Sequence, residues 1–349
     1  MTSDAKEQDE VTTTATGPIS GQQVRAIIRD KYGSPDVLGV VNVDKPVPGE
    51  GEVLVRVIAA SVNTADLDLL LGVPFAARIA YGFLRPRNRR LGLDVSGRVE
   101  AVGSGVTGLE SGDEVWSDMI AEGQGAFAEY VCAPEKAFTV KPENLTFEQA
   151  ATVPHSGLLA LQALRKIGPI KSGQTILING AGGCVGPFAI QLAKVYGAEV
   201  SGVDHTEKLD MMRSLGADHV LDYTAVDVTR TGERYDLILD IAANRSVRHY
   251  RRVMEHGGRY VQIARNVVGF FDALLVGGAI SLIGNKSMGI FGWVPNEGND
   301  KEYLARLLDS RQIVPLIDSR YELDEIADAF RHVQSGNARG KVIITVDHT

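Results

Sequence analysis

Cysteine is nearly absent from this chain. Its 349 residues carry two, Cys132 and Cys184, and no CxxC pair. That excludes a disulfide scaffold and a zinc knuckle and points to a reducing compartment, so a cytoplasmic location is expected. An excess of basic charge is missing too. The 36 Lys and Arg stand against 44 Asp and Glu, a net charge of −8, which argues against nucleic acid as a partner. Nor is there a long unbroken apolar run. Residues 267–283 come closest but carry Asp272 and three glycines; they read as a buried strand or a lid, and no stable membrane insertion is expected. The N-terminus lacks the apolar core of a signal peptide, and residues 1–22, rich in Thr, Ser, Asp, Glu and Gln, read as a disordered tail. Five arginines between positions 78 and 90 follow apolar residues 73–77; they read as a solvated loop, with contact to an anionic membrane surface as the alternative.

What remains is an ordinary globular composition, 44% hydrophobic and 23% charged, in a chain long enough for about two domains. The first half is punctuated by glycine and proline. Residues 52–59 (EVLVRVIA), 95–102 (VSGRVEAV), 114–116 and 127–132 (FAEYVC) read as short strands at the spacing of a barrel or sandwich. After Pro142 the period changes. Residues 148–152 and 157–167 have helical spacing. Strands at 175–179, 199–203, 219–221, 237–240 and 259–263 then alternate with helices at 187–196 and 207–215. That alternation implies βαβ units and a parallel sheet. Helices at 300–308 and 322–333 precede a last strand, residues 341–346 (KVIITV), which must pair with something earlier.

The strongest motif lies in TILINGAGGCVG, residues 175–186. An apolar strand runs through a glycine-rich turn into a helix, the context that dinucleotide binding requires. The spacing is Gly180-xx-Gly183-xx-Gly186, with Ala181, Cys184 and Val185 completing the loop. Its backbone can approach a pyrophosphate whose charge sits at the helix N-terminus. The next strand ends on Asp204. A carboxylate there accepts ribose hydroxyls and repels a 2′-phosphate, so NADH is favoured over NADPH; the alternative is a helix cap. Lys208 stands against that preference, because a nearby cation accommodates a phosphate.

This organisation resembles the medium-chain dehydrogenase/reductase superfamily, and within it the zinc-independent quinone oxidoreductase branch. The resemblance rests on YGSPDVL at 32–38, GEGEVLV at 49–55, ASVNTAD at 60–66, GLDVSG at 92–97 and ATVP at 151–154. The glycine loop, RSLGAD at 213–218 and GKV at 340–342 complete it. It implies an α/β fold in which a Rossmann doubly wound parallel sheet joins a GroES-like β-rich catalytic domain. The catalytic domain would take residues 23–152 and 305–349, and the Rossmann domain 153–304. Zinc-dependent members place a cysteine where this chain has Asn63 and a His-Glu pair where it has Leu93-Asp94, and Ala65 replaces the relay hydroxyl; no metal site is therefore expected. The resemblance implies hydride transfer from NAD(P)H to a small electrophile, a quinone or an α,β-unsaturated carbonyl. Reduction of enoyl thioesters or oxidation of secondary alcohols is the enzymatic alternative, and a cofactor-binding protein with little turnover is the non-enzymatic one. Asn63, Asp66 and His155 are the catalytic candidates, although Asp66 also suits a helix cap and His155 a structural role. Asp94 suits an ion pair. Tyr223, Ile263 and Lys341 join the glycine loop, Asp204 and Lys208 as cofactor contacts, and a homodimer is expected.

Overall fold

The computed structural model describes residues 21–166, 170–263, 276–278, 281 and 285–348. Two sheets organise them. The first is wholly parallel and has six strands: Thr175–Asn179, Glu199–Asp204, His219–Asp222, Tyr235–Asp240, Met254–Gln262 and Ser287–Ile290. Counted along the chain, they lie side by side as third, second, first, fourth, fifth, sixth, the doubly wound order whose crevice opens between first and fourth strands. The strand Thr175–Asn179 is buried along almost its whole length, as a central strand covered on both faces must be. The helices Pro154–Lys166, Gly186–Val195 and Gly298–Asp309 contribute Leu158, Leu161, Phe188, Ile190, Leu304 and Leu308 to the core against it. Gly157 lets two of them close up, because a Cβ there would lie 2.8 Å from Leu304.

The second sheet is mostly antiparallel. Its order is Ile317–Glu322, Lys341–Thr345, Glu52–Val62, Asp94–Val102, Glu114–Asp118 and Thr139–Val140, with Tyr130–Pro134 paired to Glu52–Val62. The final strand thus returns to the first domain, pairing Val342 with Val62. The helix Gly298–Asp309 runs across the expected boundary at 304/305. The strand expected at 127–132 is displaced to Tyr130–Pro134, because Ala128 makes only an isolated bridge to Ala26. A hairpin of Gln23–Ile28 with Gly39–Asp44 and the edge strand Ser287–Ile290 are additional to the sequence reading. The expected tail and most of residues 267–283 lie outside the described residues. No described helix is long and apolar enough to cross a membrane.

The register of the second sheet positions its chemistry. Val342 faces Val62, Ser61 faces Asp94, and Asp94 faces Asp118. Four neighbouring strands therefore bring Lys341, Asn63, Asp94 and Asp118 to one edge of the sheet. The helix Pro154–Lys166 starts at that edge and adds His155 and Ser156.

Candidate active site

A cavity of about 430 Å³ lies between the domains, at the C-terminal ends of the first and fourth Rossmann strands. Asn179, Gly180, Ile241 and Ala242 form its Rossmann side; Asn63, Thr64, Ile120, His155 and Ser156 face them, with Phe291 and Trp293. Gly183, Cys184, Val185, Asp204, Lys208, Tyr223 and Ile263 also reach it. The glycines of the loop do three different things. Gly180 turns the chain at φ +85°, and a Cβ on Gly186 would lie 2.2 Å from the Ala181 carbonyl oxygen. Among the described residues a Cβ on Gly183 meets only the Gly180 carbonyl, at 3.7 Å. Gly180 is thus required by backbone conformation, Gly186 by close packing and Gly183 by nothing among the described residues. Ala181 is buried beneath the loop.

At the adenosine end the Asp204 carboxylate is already engaged. It accepts from Gly182 N (2.8 Å) and His205 N (2.8 Å), and the Lys208 ammonium lies 3.6 Å away. Lys208 also donates to the Gly336 carbonyl (2.8 Å). Tyr223 stands half exposed beside His205.

Behind the opposite wall lies a buried polar cluster. Lys341 Nζ donates to Asn63 Oδ1 (2.5 Å), Asp94 Oδ2 (2.7 Å) and Ser156 Oγ (3.3 Å). Asp94 Oδ2 also accepts from Ser61 Oγ (2.9 Å) and Asn63 Nδ2 (3.0 Å), and Asp94 Oδ1 accepts from His155 N (2.6 Å). The cluster fixes Asn63 and the start of the histidine helix. Lys341 is 1% exposed and does not line the cavity, so its ammonium acts through these neighbours. Asp66 is also enclosed. It accepts from Asn63 N (2.9 Å) and Gly92 N (3.2 Å), capping the helix Thr64–Leu71.

His155 is different, because its ring reaches the cavity. Nδ1 lies 2.9 Å from Asp118 Oδ2, and Trp293 packs against the imidazole edge-on at 4.9 Å between centroids. Asp118 is held in turn by Ile120 N (2.9 Å). Burial opposes the imidazolium, but the Asp118 carboxylate outweighs it and raises the histidine above its ordinary 6.5. Asp118 carries no signal in the sequence because its partner is 37 residues away, on a helix whose first turn is brought to the end of Asp118's strand only by the fold. Trp293 follows a short edge strand that carries no alternating pattern.

A Rossmann sheet with a glycine loop, a GroES-like sheet and a cleft between them define a two-domain, dinucleotide-dependent oxidoreductase. Residues 49–143 match the alcohol dehydrogenase GroES-like domain, and residues 215–344 match the zinc-binding dehydrogenase family. The chain is 33% identical to the 2-methylene-furan-3-one reductase of Solanum lycopersicum, over 97% of this chain and 84% of that one. It is also 33% identical to the chloroplastic NADPH-dependent alkenal/one oxidoreductase of Arabidopsis thaliana, over 93% and 80%. The structure of the quinone oxidoreductase from Coxiella burnetii superposes with a TM-score of 0.84 at 29% identity, covering 93% of this chain and all of that one. The chain belongs to the medium-chain dehydrogenase/reductase superfamily, in its quinone oxidoreductase-like branch.

One of the matched families is named for zinc, and the residues here do not fit that ion. A catalytic zinc takes three protein ligands. At the corresponding place Asn63 and Asp94 turn to the Lys341 ammonium, so a fixed cation is already supplied by the chain. Among the described residues no three His, Cys, Asp or Glu are grouped to hold a metal. The residues do fit a dinucleotide: Gly183 leaves room for a pyrophosphate at the start of the helix Gly186–Val195, and Lys208 and Tyr223 border the adenosine end.

Proposed function

We propose that the protein is a zinc-independent NAD(P)H-dependent reductase of quinones and α,β-unsaturated carbonyls. The observation that carries this reading is the cavity at the Rossmann switch point, walled by His155, which Asp118 holds from behind, and backed by a lysine where a metal would otherwise sit. When bound, the dihydronicotinamide supplies a hydride. Asn179, Gly180, Ile241, Ala242 and Ile263 form the surface against which its ring would lie, and Gly183 and the following amides hold the pyrophosphate.

Without a metal to polarise a simple carbonyl, the substrate must already spread incoming negative charge, as a conjugated carbonyl does. Phe291 and Trp293 supply an apolar wall for such a planar substrate. His155 holds a proton at Nε2 while Nδ1 stays on Asp118, and donates it where the negative charge arrives. Asn63, its amide fully engaged by Lys341, Ser156, Asp94 and Asp66, holds the cavity wall against which the substrate lies.

Cofactor choice belongs to the same proposal. The expectation of NADH rested on a free Asp204 carboxylate. With that carboxylate engaged by two backbone amides and Lys208 beside it, a 2′-phosphate finds a cation as well as an anion, and we propose that NADPH is used at least as well. A cytoplasmic homodimer completes the reading. Its support is the edge strand Ser287–Ile290, which has no strand partner on its outer side among the described residues and offers its backbone to a second copy. Sedimentation measures that association.

The test is oxidation of NADH and NADPH, side by side and with chelator present, on quinones, enones, enoyl thioesters and secondary ketones. Turnover confined to the conjugated substrates is expected. Turnover of simple ketones that chelation abolishes would replace this reading with a zinc alcohol dehydrogenase, and no turnover at all with a binding protein.

A further inference from the structure

Among the described residues, the most exposed apolar surface is a single short segment. Val73, Phe75, Ile79, Tyr81, Phe83 and Leu84 all face solvent, Ile79 at 72% and Leu84 at 83%. Single exposed apolar residues are ordinary, but a contiguous group marks an interaction surface. Phe75 and Phe83 pack edge to face at 5.4 Å between ring centroids, so the two ends of the segment meet.

The segment is also built. Arg78 donates to the carbonyls of Leu71 (3.0 Å) and Gly72 (2.9 Å) and lies over the Tyr32 ring, while Tyr32 donates its hydroxyl to the Gly82 carbonyl (2.8 Å). Arg87 closes the far side, donating to the Ala80 carbonyl (3.1 Å). Along this stretch of the chain the charge is of one sign. Between Asp68 and Asp94 the chain has five arginines and no Asp or Glu, in a protein whose net charge is −8. Arg85, Arg87, Arg89 and Arg90 are exposed, and Arg89 pairs with Asp30.

We infer that this segment docks the protein on an anionic phospholipid bilayer. Hydrocarbon beneath a layer of phosphates matches exposed Phe, Ile and Leu ringed by arginine, a combination that binds reversibly at the interface without spanning it. A second copy of this chain fits less well, because a two-fold contact would press arginines on arginines. The surface also lies close to the chemistry. The helix Thr64–Leu71 contributes Thr64, Ala65 and Asp68 to the cavity wall and ends at Gly72, where the segment begins; eight residues at about 1.5 Å each separate the two by about 12 Å. Docking would hold the cleft beside the phase into which lipophilic quinones partition. This last point rests on the proposed function; the docking itself does not.

The experiment is co-sedimentation of the full chain with vesicles of phosphatidylcholine alone and of phosphatidylcholine mixed with phosphatidylglycerol. Binding is expected to the anionic vesicles only, and to be released by salt. Ile79→Asp with Leu84→Asp should reduce bound protein about tenfold or more, and Arg85→Gln with Arg87→Gln should weaken it without abolishing it. Reduction of a water-soluble enone by the variants should be unchanged, which shows that they fold. Absence of binding by the parent, equal binding to neutral vesicles, or aspartate variants that bind like the parent would overturn the inference. So would a parent dimer that the aspartate variants dissociate while vesicles capture neither. If the parent binds vesicles but reduces no quinone or enone, docking stands and the proposed function falls.

Discussion

Gly180, Gly183 and Gly186, three of the four glycines in the phosphate loop, separate structure from function residue by residue. The protein's own backbone demands Gly180 and Gly186, whereas a Cβ on Gly183, which lines the cavity, would have no neighbour among the described residues closer than 3.7 Å. Gly183→Val should therefore keep the parent's melting temperature within a few degrees and weaken NAD(P)H binding about tenfold or more, because the branched side chain fills the pyrophosphate's place. Calorimetry and a fluorescence titration read the two effects separately. His155 makes a second prediction. Its imidazole is raised above 6.5 by Asp118, so the protonated donor is fully present below that value and is lost as pH rises through the raised one. Enone reduction should fall on the alkaline side of the parent's pH profile. His155→Gln should lower kcat about a hundredfold and remove that limb; a variant that keeps the limb would show that another group delivers the proton.

The elements were more legible than the contacts between them. Strong periodicity marked the Rossmann strands to within a few residues, because a parallel sheet covered on both faces must be apolar throughout. The edge strand Ser287–Ile290, with glycine and serine among four residues, left no such mark. The motif ASVNTAD could be recognised from its residues, yet whether Asp66 faced substrate or capped its helix depended on a fold that the motif does not contain. Burial pushes the Asp66 carboxyl up to about 7 from 3.8. The folded state thus binds a proton that the unfolded state has released, and this term lowers stability as pH rises from about 4 to 7, by on the order of 4 kcal/mol. Asp66→Asn should flatten that decline in denaturant unfolding measured across this range. A variant whose stability tracks the parent's at every pH would contradict the assignment.

At the scale of the molecule, the cleft is held by contacts that no local pattern announces. Lys301 reaches from the helix Gly298–Asp309 into the other domain and donates to the carbonyls of Lys136 (2.8 Å), Phe138 (3.3 Å) and Ala137 (3.4 Å), while burial lowers its pKa to about 8. Asn296 adds a bond to the Asp118 carbonyl (2.7 Å). A lysine in a helix carries no mark in the sequence of reaching into another domain, and the expected boundary at 304/305 falls within this helix. Lys301→Met leaves buried carbonyls without their donor and should cost about 2–3 kcal/mol. Because Asn296 and Asp118 lie along the same seam, it should also raise the KM for cofactor; calorimetry and initial rates check both. The central claim is metal-free hydride transfer into a conjugated system. The most direct test is reduction of an α,β-unsaturated ketone with NAD(P)H deuterated at the transferable position, using protein freed of metal, with the product read by mass spectrometry and NMR. The account predicts a saturated ketone with deuterium on the β-carbon; an allylic alcohol with deuterium on the carbonyl carbon, or turnover that returns only with zinc, would contradict it.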